Sequence, residues 1–190
     1  TYILFMVSKL MIWVRGECIS RMERTGVVST EIAQSIGAVG MAARASGVNI
    51  DSRFDFKDFW YEKLPWEKNI KPTGDVYSRF NLRYNEIKQS IRFVNDFLEE
   101  LKEYEDGLKV KNKSLEKNQF VVSIVEGWRG EIVHVAITGA DAELIRYKIK
   151  DPSFNNWFML AMAVRNNGIS DFPLCNKSFN LSYCGNDLSN

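Results

Sequence analysis

Apolar and polar positions recur along this chain with two different periods, and the change of period divides it. Phe80, Tyr84, Ile87, Ile91, Val94, Leu98 and Leu101 follow one another at spacings of four and three, with Lys, Arg, Glu and Asn between them. That pattern predicts one long helix of about eight turns packed along a bundle by a single apolar stripe, capped at its start by Thr73-Gly74-Asp75. Beyond it the period shortens. Phe120–Val125 and Ile132–Ile137 are apolar, β-branched runs around the charged turn Glu126-Gly127-Trp128-Arg129-Gly130-Glu131, and Gly139-Ala140-Asp141 leads into Glu143–Ile149. β-branched runs bounded by Gly and Asp turns predict a three-stranded antiparallel meander.

Shorter elements surround these two. The opening TYILFMVSKLMIWV predicts a buried helix; it falls short of the ~20 residues of a membrane span, and no basic region precedes it as in a signal peptide. After Arg15–Arg24, Thr25-Gly26 ends a helix, and Ser29 or Thr30 starts the next with Glu31 in its first turn. The small-residue run from Ile36 to Val48 allows close backbone approach and fits a cofactor-side segment, a helix crossing or plain close packing. Residues 54–74, with Pro65 and Pro72, predict an irregular connection, and 103–118 a charged, solvated linker. Asp151 as N-cap and Pro152 at N1 start a largely buried helix over Phe154–Val164, and Ile169–Pro173 a last short one. The fold class is therefore α+β, mainly α: a long-helix bundle with a small three-stranded meander, residues 1–190 forming one domain.

Composition adds mostly exclusions. A 45% hydrophobic, 26% charged chain of 190 residues is ordinary globular protein, and a net charge of +1 gives no reason to expect nucleic acid. Cys18, Cys175 and Cys184 are odd in number and form no C-x-x-C, which argues for a reducing compartment and buried, inert thiols. No P-loop, G-x-G-x-x-G or nucleophile–base motif appears, so the isolated chain is expected to bind no cofactor and to be inactive.

Four stretches carry a family resemblance. RMERTGVVSTEIAQSIGAVGMAARASGVNIDSRFD, ending in Ala45-Ser46-Gly47-Val48, Asp51 and Arg53, resembles a segment of the large subunit of energy-converting (group 4) nickel–iron hydrogenases and of the homologous quinone-site subunit of respiratory complex I. Gly74, Asp75, Arg79, Arg83, Glu86, Ser90 and Arg92 match that family's G-D-x-x-x-R-x-x-x-R-x-x-E-x-x-x-S-x-R. Glu126-Gly127-Trp128-Arg129-Gly130 corresponds to its E-x-P-R-G, with Trp128 in place of proline, and Pro152-Ser153-Phe154 to its P-S-F. The resemblance implies a hydrogenase-large-subunit-like fold and the C-terminal portion of a longer subunit.

It also implies a site. The family's nickel–iron centre is held by two C-x-x-C pairs, thiolates suiting soft metals. The C-terminal pair falls at Ser182 and Gly185, neither a cysteine, with Cys184 one position off, so no nickel–iron centre is expected. Loss of the ligands resembles the complex I branch, although Asn180 and Leu188 replace that family's Asp and Arg while Asp187 is kept. By resemblance Arg129, Gly130, Glu131, His134 and Asp187 line the former cavity. Arg129 either hangs over it or pairs with Glu131 or Glu126; His134, the only histidine, is either a strand residue satisfied by a neighbour or a proton relay. The function implied is an oxidoreductase subunit beside an iron–sulfur (small) subunit, on the cytoplasmic, peripheral face of a membrane complex, with quinone possible in the full complex. A non-catalytic scaffold derived from the same family is the alternative.

Overall fold

A computed structural model describes residues 16–56, 61–62, 66–101 and 114–187, without the side chains of residues 186 and 187. The helix expected at the start of the chain, most of the 103–118 linker and Leu188 lie outside the described residues.

Helices α1 (Gly16–Met22), α2 (Thr30–Ser35), α3 (Gly40–Ala45) and α4 (Ser52–Asp55) lead to the long α5 (Val76–Leu101). Their ends are set by the expected side chains. Ser29 caps α2, its hydroxyl oxygen accepting from the Ile32 N–H at 3.3 Å, while the Thr30 hydroxyl donates to the Ser46 carbonyl at 2.6 Å and ties α2 to the end of α3. Asp75 caps α5 by accepting from the Ser78 N–H at 2.7 Å, and the same carboxylate takes the Arg24 N–H at 3.1 Å. The small residues Ala33, Ala42, Ala43 and Ala163 pack with Val28, Met159, Leu160 and Phe179 into the main core.

The long helix does not pack by the stripe its sequence shows. Its buried residues are Val76, Ser78, Arg79 and Leu82, whereas Val94 and Leu98 are about half exposed. Arg79, Arg83 and Glu86 repeat the four-three spacing one residue out of phase with Phe80, Tyr84 and Ile87, which turns them about 100° around the axis. This charged row faces the other helices. Burying it is tolerable because each group finds partners there; the apolar stripe is left to wall a cavity.

The meander forms as expected, with strand order β1-β2-β3: β1 Phe120–Gly127, β2 Gly130–Thr138 and β3 Leu144–Lys150. Its first turn is tighter than the six residues expected. Glu126 pairs with Glu131 and Gly127 with Gly130, so only Trp128 and Arg129 make the turn and Glu126 is a strand residue. Helix α6 (Ser153–Ala163) follows; Asp151 accepts from the Ser153 N–H at 2.7 Å, and Pro152 stands just before the helix rather than inside it. It buries one face, Ser153, Asn156, Met159, Leu160 and Ala163, while Phe158 stays exposed, so it is half buried rather than largely buried. A 3-10 turn (Ile169–Asp171) runs into α7 (Phe172–Phe179), which stops at Asn180 in the left-handed region, and α8 (Tyr183–Asp187) ends the described chain. No helix among the described residues is long and apolar enough to cross a membrane. Of the cysteines only Cys175 is buried; Cys18 and Cys184 are exposed, against expectation, because they sit on outer faces of short helices.

Candidate functional site

Helix α3 is made of Gly, Met and Ala with one charged residue, Arg44, and all six residues are buried. A guanidinium 1% exposed requires paired partners. Arg44 has three. Its Nη2 donates to Glu86 on α5 at 2.8 Å, its Nη1 to Glu126 on β1 at 2.8 Å, and Asp51 stands 3.5 Å away. A further bond from Nη1 reaches the Ile50 carbonyl at 3.2 Å. Arg53 grips Asp51 with two parallel bonds, 2.8 and 2.7 Å, and touches Glu86 at 3.2 Å. The second oxygen of Glu126 accepts the Ser52 N–H at 3.3 Å, at the start of α4. Two guanidiniums and three carboxylates thus join α3, α4, α5 and β1.

Burial by itself would raise the Asp51 carboxyl; the Arg53 hydrogen bonds and the charges of Arg44 and Arg53 override it and hold the group below the ordinary carboxylate range. Burial also acts against the Arg53 charge, but the Asp51 bonds and the Glu86, Asp51 and Glu126 carboxylates win and raise its pKa. The cluster is therefore fully ionised at its Asp51–Arg53 end. Above it opens a cavity of about 780 Å³, with Arg53, Glu86 and Glu126 on the polar side and Ile87, Ile91, Phe93, Trp66 and Trp128 among its walls. The Arg53 guanidinium lies 4.4 Å from the Trp66 ring centroid, a cation–π contact.

The hairpin turn beside this cluster is held by backbone contact. A Cβ on Gly40 would come within 2.1 Å of the Gly130 Cα, and both glycines have positive φ, 64° and 137°. Asn156 of α6 completes the seam, accepting from the Val39 N–H at 3.1 Å and donating to the Val39 carbonyl at 3.1 Å and the Arg129 carbonyl at 3.3 Å. Of the readings open for the small-residue run, close packing accounts for Gly40. Arg129 donates through Nε to the Asn180 carbonyl, just past α7; among the described residues it forms an ion pair with neither Glu126 nor Glu131. The bond to Asn180 joins the Arg129 corner to the end of α7. Glu131 sits opposite Glu126 on the neighbouring strand.

His134 lies elsewhere. It is four residues along β2 from Gly130, about 13 Å, and its Nδ1 hydrogen-bonds the Tyr147 hydroxyl on β3. No described contact links it to Arg129 or to the Arg44 cluster. Ser182 caps α8, its hydroxyl oxygen accepting from the Gly185 N–H at 3.0 Å. Gly185 is buried against Asp151, whose carboxyl atoms would lie 2.4–2.7 Å from a Cβ there. A hydroxyl used as a cap and a glycine with no room for a side chain do not fit half of a four-thiolate centre, and among the described residues no group of His, Cys, Asp or Glu is placed to hold a metal. The Asp187 side chain is outside the described ones.

Residues 11–121 match the family described as the 49 Kd subunit of respiratory-chain NADH dehydrogenase. The chain belongs to this family. It is 30% identical over 162 residues to formate hydrogenlyase subunit 5 of Escherichia coli (strain K12), covering 85% of this chain and 28% of that protein. It is 29% identical over 157 residues to a subunit of the NADH-quinone oxidoreductase of Herpetosiphon aurantiacus, covering 80% and 42%, and 30% identical over 173 residues to the alpha subunit of the membrane-bound hydrogenase of Pyrococcus furiosus, covering 80% and 39%. The chain thus spans less than half the length of these relatives. The membrane-bound sulfane sulfur reductase, an archaeal respiratory membrane complex, contains a chain of the same fold, with a TM-score of 0.82 and 21% identity over 98% of this chain and 52% of that one.

Of the positions that carry the sequence resemblance, Asp51, Arg53 and Glu86 meet in the ion cluster, and Ser90 lines the cavity above it. Arg79 is buried apart from them, donating to Ser178 Oγ, the Gly74 carbonyl and the Gly26 carbonyl at 2.8, 2.8 and 3.0 Å. Burial pushes its pKa down to about 10, against the pull of Cys175 and Asp75 and with some help from Arg83. Sequence reasoning missed Arg44 at the centre of the cluster. The signal was present: a single arginine inside a run of Gly, Ala and Met must be either exposed or multiply paired.

Proposed function

We propose that this chain is the C-terminal part of a large subunit in a membrane-associated redox complex, where it docks beside an iron–sulfur subunit and lends Arg129 to an electron-transfer or quinone- and proton-handling cavity. The single observation that supports this most is the anchoring of the Trp128-Arg129 turn. Gly40, Asn156 and the Arg44–Glu126 pair fix its backbone, while Arg129 spends one donor on Asn180. A guanidinium so positioned keeps its terminal nitrogens for an anionic substrate or intermediate. In this reading the subunit sits on the cytoplasmic, peripheral face of the membrane complex and carries no nickel–iron centre.

The packing of Gly185 on Asp151 favours a second reading, a scaffold that keeps the family's docking surface without chemistry. One experiment separates the two. The complex purified with its partner subunits is assayed for reduction of a quinone analogue or dye, with and without Arg129→Ala. A loss of at least about tenfold in rate, with assembly intact, supports the cavity role; an unchanged rate supports the scaffold. Stoichiometric nickel and iron in the same preparation, beyond that of the iron–sulfur clusters, would overturn the absence of the metal centre in both.

A further inference from the structure

A second, smaller cavity of about 320 Å³ lies between α5 and α7 and shares Arg83 and Trp128 with the larger one. Its charged lining is all of one sign. Arg83 and Lys177 contribute side chains, and no Asp or Glu is among its residues. Phe80, Leu174, Met22 and the Trp128 ring supply apolar wall.

Neither cation forms an ion pair among the described residues. Among the described residues Arg83 makes one hydrogen bond, from Nη2 to the Ser178 carbonyl at 2.9 Å, and no ion pair. A guanidinium has five N–H donors, so four remain. Its guanidinium carbon lies 5.5 Å from the Trp128 ring centroid, which supports it from one side. Lys177 is exposed and, among the described residues, reaches only the amide oxygen of Asn180, at 3.5 Å. The nearest acid to Arg83, Glu86, is already taken by Arg44 and Arg53. Burial depresses the Arg83 pKa; Glu86 offsets part of this, and the Arg129 charge depresses it further. Three like charges, Arg83, Arg129 and Lys177, are thus gathered in one partly buried region, with Glu86 the acid that offsets Arg83 among the described residues.

We propose that this cavity is a binding site for a small organic oxyanion, a single carboxylate or phosphate on a compact apolar body. The oxyanion takes the open edge of Arg83 and the Lys177 ammonium, and the apolar body lies against Phe80, Leu174 and Trp128. Charge-assisted, forked hydrogen bonds to a guanidinium are the strong kind, and the volume suits a ligand of about ten heavy atoms. The site does not rest on the redox reading of Arg129 and would hold in a pure scaffold.

The test is calorimetric titration of the full chain with phenylacetate, phenyl phosphate, inorganic phosphate and the neutral 2-phenylethanol. Saturable binding of phenylacetate or phenyl phosphate is expected, whichever is tighter naming the headgroup, with both neutral body and inorganic phosphate at least tenfold weaker. Lys177→Glu, on the surface, should weaken the tighter ligand at least tenfold, and Arg83→Gln should abolish its binding while circular dichroism shows a folded chain. If Arg83→Gln unfolds, Lys177→Glu decides. No saturable binding of either anion, equal binding of 2-phenylethanol, or an unchanged affinity in Lys177→Glu overturns the site.

Discussion

The two ends of the hairpin formed by β1 and β2 are made of the same kind of strand and sit in different surroundings. At the turn, Glu126 is tied to Arg44 and Ser52, Gly130 touches Gly40, and Arg129 is held through its carbonyl by Asn156 and through its side chain by Asn180. At the open end Phe120 is 66% exposed, and midway along the hairpin His134, opposite Ser123, finds its partner within the sheet, on Tyr147. One end is part of the helical body; the other is held by its own ladder. Charge alone does not mark a site here. What distinguishes the turn is that backbone contact and buried ion pairs fix it together, which is what positioning a guanidinium requires.

The largest effect is expected from Gly40→Ala. The added methyl would overlap the Gly130 backbone in a residue with φ of 64°, so the turn must leave α3. A loss of about 4–5 kcal/mol, the upper range for a single substitution, should appear in urea unfolding. A loss under about 1 kcal/mol would mean the seam yields easily.

Arg44→Met comes next. It leaves Glu86, Glu126 and Asp51 with Arg53 alone, and removing one partner of a buried cluster costs about 3–4 kcal/mol. Adding Glu126→Gln to Arg44→Met should recover part of that loss, because one orphaned charge is removed. Simple additivity of the two substitutions would show that they do not act through one another.

Acid should act through the same cluster. The Asp51 carboxyl is lowered in the folded protein, so its contribution is complete above the unfolded value of about 3.9 and disappears as pH falls through the lower folded value. Thermal unfolding should be insensitive to this group from neutral pH to about pH 5 and should decline below about pH 4, less steeply in Asp51→Asn. The smallest effect belongs to the middle of the meander: His134→Ala, which removes one side-chain contact within the sheet, should change stability in urea unfolding by no more than about 1 kcal/mol.

Much of this was legible in the sequence, for separable reasons. The strands were found because alternation, β-branching and Gly turns all agree, and they shift by only one or two residues. The caps at Ser29 and Asp75 followed from their side chains. The packing face of α5 was not legible. Periodicity marks an apolar stripe, yet Arg79, Arg83 and Glu86 take the inward face because Gly26, Ser178, Arg44 and Arg53 await them there, and such partners are distant in sequence. The same limit applied to the turn. Six residues, five of them charged or glycine, looked like a loop, and only the register placing Glu126 opposite Glu131 shows that four of the six belong to strands. His134 drew attention as the only histidine, a fact about composition that carries no information about position.

Native-state hydrogen exchange along the hairpin tests the central claim most directly. The amides of Val125, Gly127 and Ile132, paired across the ladder next to the turn, should exchange only with global unfolding, and those of Val121 and Ala136 at the open end with much smaller opening energies. Arg44→Met should bring the first set down toward the second. Equal protection at the two ends, or turn-end amides that open as easily in the native chain as in Arg44→Met, would contradict a turn locked onto the helical body.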